Sequence, residues 1–157
     1  MPTATDFMRR AIELSRLALD DQEGGPFGAV VVKDGAMVGE GRNRVEATGD
    51  PTAHAEIVAI RAAAARLATF DLGGCTLYAS CVPCPMCLGA ILWARIDRVV
   101  YAADRADAAA VGFDDAALYR EVARPWAERS LAAGRLLTGE ARAVFDAWRA
   151  KAGGATY

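Results

Sequence analysis

A chain of 157 residues that is 54% hydrophobic is long enough for a real core and too apolar to be disordered. No apolar stretch approaches the length of a membrane span, and Met1 to Arg10 lacks the apolar core of a secretion signal, so a cytoplasmic protein is expected. A formal charge of −2 argues against broad electrostatic binding to nucleic acid.

Thr3 or Thr5 can cap a first amphipathic helix running to about Asp21, with Phe7, Ala11, Leu14 and Ala18 on one face. Glu23-Gly24-Gly25 breaks it. Phe27 to Val32 reads as a strand, Asp34-Gly35 as a hairpin turn and Met37 to Gly41 as the antiparallel return. Arg44 to Pro51 is expected to be a loop. Ala53 to Ala68 is a run of good helix formers with apolar Ile57, Ile60, Ala64 and Leu67. Thr76 to Ser80 then reads as a strand, Met86 to Trp93 as a helix and Arg98 to Ala102 as a further strand. A helical crossover should make those last two strands parallel. Beyond Ala103 the pattern weakens: Asp104 to Gly112 reads as a loop, and Asp114 or Asp115 can cap a helix through Arg124. Leu131 to Thr138 would be a short fifth strand, and Glu140 to Lys151 a last helix with Val144, Phe145 and Trp148 inward. Helices on both faces of a mixed five-stranded sheet predict a three-layer α/β/α sandwich and a single domain over 1–157.

Four cysteines, three of them within Cys81 to Cys87, suit a metal in a reducing compartment better than disulfides. His54-Ala55-Glu56 precedes Pro83-Cys84-Pro85-Met86-Cys87, and imidazole and thiolate are donors that zinc prefers. His54, Cys84 and Cys87 make three ligands and leave a fourth position for water, as in a catalytic site. Inside a helix His54 and Glu56 would point about 200° apart. At a helix start both can reach one point, and Asp50-Pro51-Thr52 and Pro85 are helix-start residues. The positive ends of two helices would then favour the thiolates. A closed site with Cys81 as fourth ligand is the structural alternative, and it leaves Glu56 without a purpose. Cys81 and Cys75 otherwise read as small buried thiols.

The spacing H-x-E then P-C-x-x-C is similar to that of zinc nucleobase deaminases. The chain resembles the cytidine-deaminase-like superfamily, and within it the zinc-dependent bacterial guanine deaminases. The resemblance runs through Gly24-Gly25-Pro26-Phe27-Gly28-Ala29-Val30, Asp50 to Glu56, Cys84 to Ile91, Trp93-Ala94-Arg95 and Gly112-Phe113-Asp114-Asp115. It implies one zinc on His54, Cys84 and Cys87, with Glu56 as the main proton shuttle. It also implies that Asn43 hydrogen-bonds a purine base, that Phe27 and Trp93 wall its ring, and that Asp115 assists proton transfer. A homodimer is implied, in which the segment from about 103 to 157 is swapped and brings Asp115 and Tyr157 to the partner's site. The implied reaction is hydrolysis of guanine to xanthine and ammonia. On residues alone Asn43 reads equally as a turn residue, Phe27 and Trp93 as core, Asp115 as a helix cap and Tyr157 as a chain end. Val82 stands where such motifs often carry Glu, which bears on contacts around the ligands. A tRNA adenosine deaminase, a deaminase of another aminated ring such as a pterin or triazine, and a structural zinc module are the alternatives.

Overall fold

The computed structural model describes residues 1–151, and the expectation for Tyr157 lies outside them. The chain divides into two compact units, Met1–Ala116 and the residues from Ala117 on. The boundary falls beyond Ala103, where the sequence pattern first weakens. In the first unit, α1 spans Ala4–Asp20, and Thr3 caps it through a reciprocal bond with Asp6. Its buried residues are Phe7, Ala11, Leu14 and Ala18, the face that the 3.6-residue period marks out.

Strands β1 (Gly28–Lys33) and β2 (Ala36–Arg42) form an antiparallel hairpin. Its two turn residues, Asp34 and Gly35, have φ of 50° and 76°, the pair of positive values a tight hairpin requires. Helix α2 (Val45–Thr48) occupies the stretch expected to be a loop. Helix α3 spans Ala55–Leu67, β3 Cys75–Cys81, α4 Pro85–Trp93 and β4 Arg98–Ala103. The sheet order is β2-β1-β3-β4, with β1 antiparallel to β3 and β3 parallel to β4. Alternate strand residues serve the two faces. Val30, Val32 and Tyr78 pack on Phe7 and Leu14 of α1, while Ala29, Val31, Leu77 and Ala79 pack with Ala59 and Ala63 of α3 and Ile91 of α4.

The most deeply buried line of α3 is alanine, with Ile60, Ala64 and Leu67 packed beside it on the core. Ala55, Ala59 and Ala63 are sealed, whereas Ile57 is only half-buried. Gly39 and Gly41 of β2 explain this, because a Cβ on either would run into the backbone of Ala59 or Ala55. Helix and strand meet almost backbone to backbone, and only alanine fits the seam. That close approach fixes the start of α3, where His54 and Glu56 stand.

An ion pair ties α1 to β2. The Arg10 guanidinium donates to both Glu40 oxygens, at 2.8 and 2.9 Å. These bonds hold the Glu40 carboxyl below its usual pKa. A carboxyl depressed by folding adds stability above its unfolded pKa and loses it as pH falls through the folded one. Glu40→Gln should therefore lower unfolding free energy at pH 7 by about 0.5–1 kcal/mol, the range for a part-exposed pair. In urea melts the gap between variant and wild type should close as pH falls below the ordinary glutamate range; a gap that stays constant would show that the ion pair contributes nothing.

After β4, α5 (Arg105–Ala110) replaces the expected loop, because Asp104 and Asp107 form a reciprocal cap. Asp114 Oδ1 accepts the Ala116 N–H at the start of α6 (Ala116–Ala123), as a cap at this point was expected to do. In the second unit a short 3-10 turn, Trp126–Glu128, follows the break at Pro125, and α7 spans Thr138–Ala150. Among the described residues the sheet has four strands, not five: the strand expected over Leu131 to Thr138 does not form, Thr138 opens α7, and Leu131, Leu136 and Leu137 are exposed. Val144, Phe145 and Trp148 are likewise exposed and not inward. Two helices and a turn are too little chain to seal an apolar face of their own. Among the described residues no helix is long and apolar enough to cross a membrane.

Candidate active site

Two helix starts build the site. His54 is the N-cap of α3 and Cys84 the N-cap of α4, both extended in backbone, and neither side chain caps its own helix. Pro85 takes the first helical position, where a missing N–H costs nothing. Val82 donates its N–H to Ala103 O, so β3 and β4 are still paired one residue before the turn into α4. Cys87 lies three residues beyond Cys84, on the same face.

His54 Nδ1 lies 3.6 Å from Cys84 Sγ and 3.5 Å from Cys87 Sγ. The three donor atoms all fall within 4.8 Å of one another, and no fourth donor joins them among the described residues. Zinc bonds of about 2.3 Å to sulfur and 2.05 Å to nitrogen, at a tetrahedral angle, imply about 3.6 Å between the two donors. Both nitrogen–sulfur distances thus match those of a zinc site. Cys81 stands apart, buried at the end of β3, with its Sγ 3.6 Å from Asp104 O. Cys81→Ser should therefore keep zinc content and turnover near wild type; a loss of metal by elemental analysis would overturn the three-donor set.

The charges at the cluster are uneven. A hydrogen bond from Cys87, and then His54, pull the Cys84 thiol down to about 4. Cys87 is pushed up by that same bond and by burial, so the pair ionises once readily and resists losing its second proton. Zinc binding requires both as thiolates and releases their protons. His54 is raised, mainly by its bond to Cys84. Glu56, at the second position of α3, is 7% exposed, and burial pushes its carboxyl up.

The remaining expected residues have the following surroundings. Asn43 is buried at the end of β2. Its carboxamide oxygen accepts the Val45 N–H at 3.1 Å, and the next residue, Arg44, donates to Ala53 O beside His54. Phe27 is half-buried and meets Phe113 edge-on, with 4.9 Å between ring centroids. Asp115 belongs to the same compact unit as His54, and Arg105 Nε donates to its Oδ1 at 3.1 Å. The Cys81 thiol is raised chiefly by burial. Trp93 ends α4, at the opposite end from the thiols, and is 68% exposed; the structure does not bring it to the cluster. Phe113 was not singled out, although a lone aromatic among Gly and Asp residues was a usable signal.

Residues 1–103 match the family described as the cytidine and deoxycytidylate deaminase zinc-binding region. The chain belongs to this family. It is a zinc-binding deaminase, and its mixed sheet is the cytidine-deaminase-like one. Guanine deaminase of Bacillus subtilis (strain 168) is 50% identical over 143 residues, which cover 91% of this deaminase and 92% of that protein. The X-ray structure of guanine deaminase from Bacillus subtilis superposes with a TM-score of 0.95 and 47% identity, over 99% of each chain. A tRNA-specific adenosine deaminase of Aquifex aeolicus (strain VF5) is 41% identical over 97 residues, 62% of this deaminase and 64% of that protein.

Proposed function

We propose that this chain hydrolyses guanine to xanthine and ammonia. The observation that carries the reading is the likeness to a guanine deaminase along 99% of both chains, well past the zinc-binding region that ends at residue 103. The likeness to the tRNA-specific enzyme covers 62% of this chain.

Zinc on His54 Nδ1, Cys84 Sγ and Cys87 Sγ supplies, when bound, a Lewis acid and a water that ionises near neutral pH. Glu56 would take the proton from the attacking water and carry it to the ring nitrogen. A carbon–oxygen bond then forms at C2; Glu56 next takes the proton of that new hydroxyl and gives it to the exocyclic amine, so that the C2–amine bond breaks and ammonia leaves. Burial suits Glu56 to both halves of that relay, because a raised carboxyl holds its proton long enough to hand it on. Asn43 has its carboxamide oxygen engaged by Val45. Its NH2 would therefore donate to acceptors of the base such as O6 or N7. Phe27, braced by Phe113, would wall the ring, and Asp115 would assist the leaving amine. A homodimer in which the C-terminal segment of one copy closes the site of the other completes the reading.

The test is ammonia release by the zinc-loaded protein from guanine, adenine, cytosine, a pterin and an aminotriazine, with an anticodon-stem tRNA substrate beside them. Guanine should give the highest kcat/KM. Editing of the tRNA with no release from guanine would overturn the proposal.

A further inference from the structure

Glu23 is an acidic residue in the turn after α1, with a side chain only 16% exposed, and nothing in the deamination chemistry uses it. It surrounds Asn43. Its Oε1 accepts from Arg42 Nη2 at 3.1 Å and lies 3.8 Å from Arg44 Nε, so one carboxylate grips the residues on both sides of Asn43. Its Oε2 is buried 2.6 Å from Arg42 Nε without a hydrogen-bonding angle. Its backbone carbonyl accepts the N–H groups of Glu46 and Ala47, at 3.1 Å each, which fixes the start of α2 just after the Val45 that holds the Asn43 carboxamide. The next residue, Gly24, lies flat on that carboxamide: a Cβ there would strike Asn43 Oδ1. Asp21 takes the remaining face of Arg42, with Nη1 2.7 Å from Oδ2.

We propose that Glu23, with Gly24, is a positioning residue that fixes the Asn43 carboxamide for the base, acting through Arg42, Arg44 and the start of α2. The inference rests on the reading of Asn43 as a base-binding residue. Four contacts from one residue converge on the segment 42–47, and together they leave the carboxamide one orientation. Removing the charge at Glu23 would release both arginines and let the carboxamide swing, which weakens guanine binding and leaves the metal cluster and Glu56 as they are.

The experiment is a double-mutant cycle on guanine affinity, measured by fluorescence on zinc-loaded protein carrying Glu56→Gln to stop turnover. Glu23→Gln should raise Kd about tenfold, a coupling of ordinary size for groups sharing one network. It should add nothing further in an Asn43→Ala background. Gly24→Ala, which leaves the Glu23 charge in place and displaces the carboxamide directly, should raise Kd similarly. In the free protein the Asn43 side-chain NH2 resonances should move and broaden in Glu23→Gln. An unchanged Kd, an equal loss with and without Asn43, or unmoved Asn43 resonances would each overturn the positioning role. A wild-type Kd for Asn43→Ala alone would instead overturn the base-binding reading beneath it.

Discussion

Glu56→Gln should lower kcat by about 10²–10⁴-fold, the usual worth of a positioned proton carrier, while zinc per chain and guanine affinity stay near wild type. The amide replaces the carboxyl almost atom for atom in a pocket that is already sealed, so packing around the start of α3 has no reason to move. What changes is chemistry. A carboxamide neither accepts a proton from water nor returns one to nitrogen at neutral pH. Glu56 is outside the donor cluster, which His54, Cys84 and Cys87 complete without it, so the metal has no direct stake in the substitution. Turnover by ammonia release and zinc by elemental analysis, read on one preparation, separate the possibilities. Wild-type turnover would remove Glu56 from proton transfer, and a metal-free variant would make it a ligand.

The cluster was legible in the sequence because its ligands lie at helix starts. Pro85 marks where α4 begins, whereas Asp50-Pro51-Thr52 closes a turn of its own just ahead of α3, whose N-cap is His54; a helix start is the one place where His54 and Glu56 can converge. The α1 face and the Asp34-Gly35 turn were equally readable, since period and turn chemistry are local properties. Helix α5 was readable in principle from the spacing of Asp104 and Asp107, yet its Ala-rich run looked like loop. The seam of α3 was not legible from α3 alone. Hydrophobicity favours Ile57, but Gly39 and Gly41, far away in the chain, select the alanine face. The brace on Asn43 has the same origin, because Glu23, Arg42 and Arg44 meet only once the α1–β1 turn crosses the end of β2. The residues from Leu131 to Leu137 satisfied a strand pattern and found no paired neighbour, and an isolated strand has no stability in water.

Removing zinc with a chelator should abolish turnover and leave the protein folded. The core supports this, since α1, α3 and the four strands pack through Val30, Val31, Leu77, Ala59 and Ala63, none of which is a donor. The donors sit at helix starts that are themselves fixed by the sheet, by Pro85 and by the close approach of α3 to β2. Loss of a ligand that binds only the folded state costs about 3–4 kcal/mol at zinc concentrations 100 to 1,000 times Kd. For a chain of this size that is a fall in Tm of roughly 6–15 °C, with the transition still cooperative. The far-UV circular dichroism of the chelated protein should match the loaded form at 20 °C, and added zinc should restore ammonia release. A structural zinc domain behaves in the opposite way, because its folding free energy is metal-binding free energy and chelation unfolds it outright. Collapse of the helical signal on chelation would therefore place this zinc among structural sites and remove the open coordination position on which the hydrolytic reading depends.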